Sequence, residues 1–401
     1  MRKSVLAVFL VLLFSVVLLP GCAEKPVSRG WEQCAGGGRD GIFVDEGYYY
    51  TVSPGYLYFM DVNSGVNVCL CSKVGCTHNS NKNNPEEHCE ARIGGTLVCY
   101  WDGGIYYVET SNYGSHLYRR NADGTGEQQI MQLSKEYTEA QKEVGAPSTW
   151  FADGIIYYST TISDVSVTED GSFSAGESQI IKRIDLQTKT EVEILSVPIE
   201  TIIRIVAIRP DALLCLRYQF PDRDDEQYED LLGKVKYELI QLDTATGQIH
   251  VIMEKMREDG FKLITVSGNT ALYEITENGQ RVARSLDLNT GNDKLLYATE
   301  NLAAINEDYG IRLTGGSIEN MQYILVDIKS GKDLPTEFKG QRLTVQSVSD
   351  DGVILLRTLR KDGESTSTRI LSYFTLESLK DGLQEQDAID FYIIRGQSAI
   401  E

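Results

Sequence analysis

Short apolar stretches alternate with polar turns along most of the chain after residue 40. The stretches are rich in tyrosine, isoleucine, valine and leucine, and turns containing Asp-Gly, Ser-Gly or Thr-Gly separate them. Runs of β-branched and aromatic residues with such turns predict short antiparallel strands joined as hairpins. Long segments with helical periodicity are missing from the sequence. The pattern therefore predicts an all-β protein.

The strands recur in a fixed order. An apolar strand, an Asp-Gly-like turn and a second strand form a first half, which occurs as FVDEGYYYTV, CYWDGGIYYV, WFADGIIYYS, AIRPDALLCL, TVSGNTALYEI, AINEDYGIRL and VSDDGVILLR. A second half follows each first half, as in YLYFMDVNSGVNVC and LIQLDTATGQIHVI. Seven copies over about 355 residues give roughly 50 residues per unit, the period of four-stranded propeller blades. We predict a β-propeller over residues 39–401 with seven four-stranded blades; six or eight also fit, because two copies are degenerate.

Some of these motifs are similar to known propellers. The second halves, especially YRRNADGTGEQQI, resemble bacterial TolB-like propellers and the YWTD-type propellers of relatives of the low-density-lipoprotein receptor. With its cysteine-rich loop and the ending SYFTLESLKDG, the chain also resembles uncharacterised propeller lipoproteins of Firmicutes. The resemblance implies the propeller fold, and by analogy with TolB it favours a binding role.

The N-terminus carries an export pattern. Arg2 and Lys3 precede an apolar run too short for a comfortable membrane span, which predicts a signal peptide at residues 1–21. The run ends in Leu-Pro-Gly-Cys, which resembles the lipobox of bacterial lipoproteins. This resemblance implies acylation of Cys22, a tether over residues 22–38, and a location on the extracytoplasmic side of the cell membrane. The alternative is a secreted protein in which Cys22 is unmodified.

The charge balance limits the partners. The chain has 38 Lys and Arg against 58 Asp and Glu, a net charge of −20. Binding to nucleic acid or to an anionic lipid surface depends on clustered Lys and Arg. The balance therefore argues against nucleic acid, and the predicted contact with the membrane is through the N-terminal acyl chains.

The connections between strands differ in length. In an antiparallel blade with strands A to D, the A–B and C–D turns lie on one face, here called the turn face. The B–C and D–A connections lie on the other, here called the long-connection face. The A–B and C–D turns are short, whereas residues 71–95, 131–148, 161–179 and 219–236 form long B–C or D–A connections. Long loops on a rigid scaffold commonly carry recognition, so the sequence predicts that the long-connection face binds the partner.

Several residues in these connections are candidates for contacting a partner: Tyr137, Phe220, Asp222, Asp224, Asp225, Glu226 and Tyr228. The aromatic residues could stack on a sugar or pack on a protein, although such residues often only fix a loop. The acidic residues could hold Ca²⁺, but their spacing matches no EF-hand, and a solvated acidic loop is the simpler interpretation. Residues 133–145 predict a short helix over the same face.

One connection concentrates cysteine and histidine. The stretch CLCSKVGCTHNSNKNNPEEHC places Cys71, Cys76, His78 and Cys89 in a polar loop with almost no apolar residues. Three thiolates and one imidazole can form a closed, structural tetrahedral zinc site. Disulfides are the alternative in an exported protein, and free thiols are a third. Cys69 and Cys99 are predicted to lie in or beside the core, and Cys215 to be a buried thiol.

No familiar catalytic motif occurs: the sequence lacks G-x-S-x-G, H-E-x-x-H and a Walker loop. The leading hypothesis is a lipid-anchored module that binds an envelope or extracellular protein or glycan through the long-connection face. The alternative is an envelope carbohydrate-active enzyme, a lyase or hydrolase with carboxylates at the axial mouth of the propeller. The two differ in the predicted axial site: paired carboxyl groups favour catalysis, and a loop-capped end favours binding.

Overall fold

The computed structural model contains seven antiparallel sheets that are arranged in a ring. The described residues are 32–33, 41–45, 47–52, 55–76, 78, 89–111, 114–133, 141–167, 173–198, 200–221, 234–299, 302–314, 322–338, 341–360 and 366–398. Each sheet contains a blade of four consecutive strands. First strands contact one another between blades 1 and 2, 2 and 3, 5 and 6, and 7 and 1. The predicted all-β, seven-bladed propeller is confirmed.

The blades follow the order of the sequence. Blades 1 to 4 contain β2–β5 (Gly41–Val44, Gly47–Val52, Tyr56–Asp61, Asn67–Cys69), β6–β9 (Thr96–Trp101, Gly104–Ser111, Gly114–Asn121, Gln128–Gln132), β10–β13 (Gln141–Ala152, Ile155–Val167, Phe173–Asp185, Thr190–Pro198) and β14–β17 (Thr201–Ile208, Ala212–Gln219, Lys236–Asp243, Ile249–Met256). Blades 5 to 7 contain β18–β21 (Lys262–Ser267, Thr270–Glu277, Gln280–Asp287, Asp293–Ala298), β22–β25 (Leu302–Ala304, Tyr309–Thr314, Gln322–Asp327, Lys332–Leu334) and β26–β29 (Gln341–Val348, Gly352–Arg360, Thr366–Thr375, Ile389–Ser398). Short 3-10 helices lie at Arg257–Asp259, Ser378–Asp381 and Glu385–Asp387.

The turn face is built from two recurring turns. In blades 2 and 3 the A–B hairpins close through Asp102-Gly103 and Asp153-Gly154, and both residues of each turn have positive φ, from 46° to 79°. This is the geometry of a two-residue type I′ turn, which Asp-Gly adopts readily. The C–D turns begin with an aspartate whose Oδ1 accepts backbone N–H groups two and three residues later, as at Asp243 (3.0 and 2.7 Å) and Asp287 (2.9 and 2.8 Å).

Apolar and aromatic side chains from adjacent blades pack into clusters between the sheets. Among the described residues, blades 1 and 7 share no strand, because their sheets consist of β2–β5 and β26–β29. A cluster rich in aromatic residues joins them, in which Tyr50 is stacked on Tyr48 and lies edge-on to Phe391. Asn67 accepts a hydrogen bond from the Tyr50 hydroxyl (2.8 Å) and donates one to the carbonyl oxygen of Phe391 (3.0 Å). Side-chain contacts therefore close the ring.

Two connections predicted as long loops are largely strand. The predicted segment 131–148 contains the last residues of β9 and the first part of β10. The segment 161–179 consists mainly of β11 and β12, which pair from Ile155↔Asp185 to Val167↔Phe173. The short helix predicted for 133–145 is wrong from Gln141 onward, because β10 begins there and pairs with β11. Alternating β-branched residues in β11 extend the hairpin beyond the rest of the sheet.

The prediction that every long connection lies on one face also needs a correction. Residues 376–388 join the third and fourth strands of blade 7, so this long C–D connection lies on the turn face. Leu379 and Leu383 in it are fully buried against the core of blades 6 and 7. The apolar residues in this stretch form part of the core instead of a strand, which the repeat pattern did not indicate.

A fifth strand joins blade 4. β1 (Glu32–Gln33) pairs antiparallel with the innermost strand β14 and contacts β18 of blade 5. Two residues of the segment assigned to the tether thus lie inside the ring, on the axial side of blade 4. Among the described residues, no helix has the length and apolar character needed to cross a membrane.

Candidate metal centre

The four predicted metal ligands come together in space. Cys71 and Cys76 follow β5, His78 lies two residues further on, and Cys89 precedes β6. The three sulfur atoms and a ring nitrogen of His78 all lie within 4.8 Å of one another, and His78 Nδ1 lies 3.4 Å from Cys89 Sγ. In the part of the chain that the structure describes, no other group of three or more His, Cys, Asp and Glu side chains converges in this way. The cluster could hold a metal ion.

The backbone is shaped to bring the sulfurs together. Cys71 donates its N–H to the carbonyl oxygen of Cys69 (2.8 Å), and Cys76 donates to that of Lys73 (3.2 Å), which closes a turn between the first two ligands. Gly75 supplies a φ of 76° just before Cys76, and His78 itself has a φ of 52°. A positive φ is uncommon for histidine and costs energy unless the surroundings fix it. Here it directs the imidazole toward the thiols.

Hydrogen bonds from backbone amides change the pKa of two thiols in the cluster, those of Cys71 and Cys89. Burial disfavours a Cys71 thiolate, but hydrogen bonds from the amides of Lys73 and Glu90 outweigh it and lower the pKa of Cys71. Burial raises the pKa of Cys89 to about 12, although the amide of Ala91 opposes this. A buried group of thiols resists carrying several negative charges at once, and a bound cation reverses that balance. The site thus has the donors and the amide bonds of a metal-thiolate centre.

Arg120 fixes one side of the cluster. This buried side chain, 6% exposed, donates to the carbonyl oxygens of Glu90 and of Arg92, the latter at 2.9 Å. Its charge is paired with Glu127, which also accepts from the hydroxyl of Tyr107. Burial opposes ionisation of Glu127, but the hydrogen bonds from Tyr107 and Arg120 lower its pKa. The segment that carries Cys89 is therefore held to blade 2 by a charged, hydrogen-bonded group.

Glu90 connects the two halves of the connection. Its Oε2 accepts hydrogen bonds from the Ser72 amide at 3.2 Å and from the Ser72 hydroxyl at 2.5 Å. Ser72 follows Cys71 directly, and Glu90 follows Cys89 directly. The residues next to two ligands are thereby joined across the site, as is common for groups that orient metal ligands.

A fourth thiol lies beside the cluster. Cys69, the last residue of β5, packs with Cys71, Cys76 and Cys89 against Tyr56 and Ala91. Burial raises the pKa of Cys69 to about 11, and the nearby Cys71 thiol adds to this rise. The Cys69 sulfur is within hydrogen-bonding reach of the Tyr58 hydroxyl and of Cys89. All six described cysteines are thiols. Cys99 and Cys215 are buried in the cores of their blades, as predicted.

The predicted binding-face residues are only partly described. Phe220 follows β15 on the long-connection face, is 40% exposed, and donates its N–H to the carbonyl oxygen of Glu200 (3.0 Å). The other predicted positions lie outside the described residues: Cys22, Tyr137, Asp222, Asp224, Asp225, Glu226 and Tyr228.

Sequence reasoning missed the residues that support the cluster. It did not identify Arg120, Glu127 or Glu90, and it assigned Cys69 only to the core or its neighbourhood. One signal was available, since a strand with two consecutive arginines, LYRRN, must place one of them toward the interior and pair it with an acid. The identity of that acid depends on the C–D turn, which only the structure places.

No family model and no curated protein sequence matches the chain. Its structure is similar to a puromycin-hydrolysing peptidase of Mycobacterium tuberculosis (TM-score 0.50, 8% identity, covering 92% of this chain and 53% of the peptidase). It is also similar to an oligogalacturonate lyase in complex with manganese (TM-score 0.47, 15% identity, 90% of each chain). A third similarity is to TolB from Acinetobacter baumannii (TM-score 0.36, 14% identity, 89% of this chain and 79% of TolB).

These similarities concern the fold. The chain spans about half the length of the peptidases that it matches. The similar structures include peptidases and lyases as well as TolB. At 8–15% identity they concern the fold alone, so the function has to be argued from the residues of this chain.

Proposed function

We propose that this protein is a lipid-anchored, extracytoplasmic binding module that holds an envelope protein or glycan through its long-connection face. In this proposal Cys22 carries the acyl chains, and Cys71, Cys76, His78 and Cys89 hold a structural zinc ion. The zinc stabilises the connection between blades 1 and 2, which belongs to the proposed binding face.

The observation that carries the proposal is the convergence of four ligands in a connection with little hydrophobic core. Three sulfurs and one nitrogen within 4.8 Å of one another form a complete tetrahedral set for zinc. A site filled by four protein ligands leaves no position for a substrate or a reactive water, so it favours a structural role. Arg120 and Glu90 hold the same segment from two sides.

A rigid connection suits binding. A surface that is ordered before the partner arrives loses less conformational entropy on association than a flexible loop does. The tip of the connection exposes an apolar side chain, Val74, which is 99% exposed between the first two ligands. The described part of the connection therefore presents a fixed apolar point at the long-connection face.

The anchor is tested separately from the face. Growth with an alkyne fatty acid should label the wild-type chain, and Cys22→Ser should remove the label and release the protein from the membrane fraction. Absence of label on the wild type would contradict the anchor and leave the binding face open to its own test.

The binding face is tested by position-specific photo-crosslinking on intact cells. We would introduce a photo-reactive residue at Val74 or at Gln280, both exposed on the long-connection face, the second in the B–C turn of blade 5. The matched controls are Ala245 and Asn289, both exposed in C–D turns on the turn face. Discrete adducts from the first pair alone are expected, and adducts from the controls alone would contradict the proposal. Protease or glycosidase treatment of the adduct identifies the partner's class.

A further inference from the structure

Cys69 lies against the proposed metal centre without belonging to its ligand set. The quartet of Cys71, Cys76, His78 and Cys89 already supplies the four donors of a tetrahedral ion. The Cys69 sulfur contacts the same group of side chains from β5 and is within hydrogen-bonding reach of Cys89. A spare thiol next to a ligand sulfur can form a disulfide with it after only a small movement.

Cys89 interacts with each of the other three candidate ligands. Its sulfur lies 3.4 Å from His78 Nδ1, accepts the Ala91 amide, and interacts with Cys71 and Cys76. Loss of this one donor removes a ligand next to the imidazole and leaves three donors for the ion. The segment behind Cys89 stays attached to blade 2 through Arg120. A change at Cys89 therefore acts mainly on the arm that carries Cys71, Cys76 and His78.

We propose that the cluster is a thiol switch, in which a hydroperoxide joins Cys69 and Cys89 in a disulfide and the metal ion leaves. The inference rests on the metal centre proposed above. In the reduced state the ion orders the connection on the binding face. In the oxidised state the Cys69–Cys89 bond holds the base of the connection, and the Cys71–His78 arm loses its ion.

The reaction balances with one molecule of hydrogen peroxide, the simplest hydroperoxide. The Cys89 thiolate attacks the peroxide, the O–O bond breaks, an S–O bond forms, and with one proton the departing oxygen becomes the first water. The Cys69 thiol then attacks the sulfenic acid on Cys89, the S–S bond forms, and the hydroxyl leaves with the Cys69 proton as the second water. The two sulfurs lose two electrons and the peroxide gains them. A metal-binding Cys beside a resolving Cys is the arrangement that such chemistry needs.

The test uses the full chain, purified from membranes in detergent without oxygen and loaded with zinc. Zinc release during titration with hydrogen peroxide is followed with a chromogenic chelator, and peptide mapping identifies the disulfide. The wild type is compared with Cys69→Ser and with the control Cys215→Ala, whose thiol is buried in blade 4 away from the cluster. We expect about one zinc released per peroxide in the wild type and the control, with a Cys69–Cys89 disulfide, and recovery of zinc binding after reduction. Cys69→Ser should bind zinc like the wild type and release it at least ~10-fold more slowly.

The outcomes separate the switch from the metal centre. If the reduced wild type binds no zinc, the metal centre and the switch both fail. If zinc binds and peroxide leaves it in place, or releases it equally fast from Cys69→Ser, only the switch is overturned. A Cys71–Cys76 disulfide with Cys69 still a thiol would also overturn it.

Discussion

Two long connections of this propeller are stabilised in opposite ways. The cysteine connection joins blade 1 to blade 2 on the long-connection face, and residues 376–388 join β28 to β29 on the turn face. In the second, Leu379 and Leu383 are fully buried beside Phe338. In the first, the buried contacts are mostly among cysteines, with Tyr56 and Ala91. One connection has a hydrophobic core, and the other has a set of metal donors.

The two connections draw their stability from different interactions, because their sequences differ in apolar residues. Burying a leucine side chain contributes about 1.5–3 kcal/mol, so two such residues can hold a short connection to the propeller. A polar connection has no such contribution, whereas structural zinc binding contributes about 10–16 kcal/mol in small zinc domains. Metal donors can therefore replace apolar residues where a connection must remain polar.

Both connections are supported by a buried arginine. In blade 2 Arg120 is paired with Glu127 and donates to the backbone near Cys89. In blade 7 Arg357 forms a two-pronged contact with Asp390 (2.7 and 2.6 Å) and lies 4.7 Å from the centroid of the Phe338 ring. The shared support makes matched experiments possible, since each variant in one region has a counterpart in the other.

The largest effect is expected from removing a metal ligand. Cys89→Ser should weaken zinc binding by more than the ~10–100-fold that the loss of an outer-shell partner costs. It should also expose residues 70–95 to limited proteolysis. Zinc content by mass spectrometry and protease mapping measure both, with Cys215→Ala as the control. Full zinc occupancy in Cys89→Ser would refute the assigned ligand set.

The counterpart in blade 7 is Leu383→Ala. Its side chain is 0% exposed, so the variant should lose about 2–5 kcal/mol of the free energy of unfolding. Urea denaturation measures the loss. Chelation of zinc should lower the melting temperature of Leu383→Ala and of the wild type by similar amounts, because the two connections lie on opposite faces of the propeller. A chelation effect that disappears in Leu383→Ala would show that the two connections are coupled.

Replacing the arginines distinguishes support of the ligands from support of the blade. Arg120→Met should remove the charged donor from Glu127, which keeps only the Tyr107 hydroxyl, and from the carbonyl oxygens of Glu90 and Arg92. The expected cost is about 1–3 kcal/mol, with weaker zinc binding. Arg357→Met should lose a similar free energy of unfolding with zinc affinity unchanged. Denaturation and competitive zinc titration on both variants make the comparison, and equal zinc affinities in the two would contradict the role assigned to Arg120.

The smallest expected effect is on the free energy of unfolding at acidic pH. In the C–D turns of blades 4 and 5, hydrogen bonds from the turn amides and hydroxyls lower the pKa of Asp243 and Asp287 from the usual 3.8. Because the folded pKa lies below the unfolded one, these carboxylates stabilise the fold above pH 3.8, and the contribution is lost as the pH falls through the folded value. Asp287→Asn should keep the turn and flatten the decline of stability between about pH 5 and pH 3. Urea denaturation across this range measures the slope, and an unchanged slope would contradict the assignment.

The blades could be predicted because each one is specified by residues that are close together in the sequence. Each first half carries its own strands and its own turn, such as Asp102-Gly103, and the first halves correspond to the seven A–B hairpins. The four ligands were predictable from their residue types within one polar loop. In contrast, the helix predicted for residues 133–145 is wrong from Gln141 onward, because the pairing of β10 with β11 overrides the helical preference of these residues.

The supporting residues depend on contacts between distant positions. Arg120 reaches carbonyl oxygens 28 and 30 residues earlier, and Glu32 in β1 pairs with Ile208 in β14, 176 residues later. Local patterns contain no information about such partners. The apolar connection of blade 7 was missed for a related reason, because Leu379 and Leu383 pack against residues of blade 6 as well as against their own blade.

The joint between blades 1 and 7 has a mechanical consequence. In the part of the chain that the structure describes, these blades belong to separate sheets and are joined by packed side chains and by the hydrogen bond from Asn67 to the Phe391 carbonyl oxygen, so a stretching force on residues 41 and 398 would pull against packing and not against a ladder of backbone hydrogen bonds. The circle should then open at this joint first, with every sheet still folded. A pulled molecule would lengthen into a curved row of blades before any of them unravels.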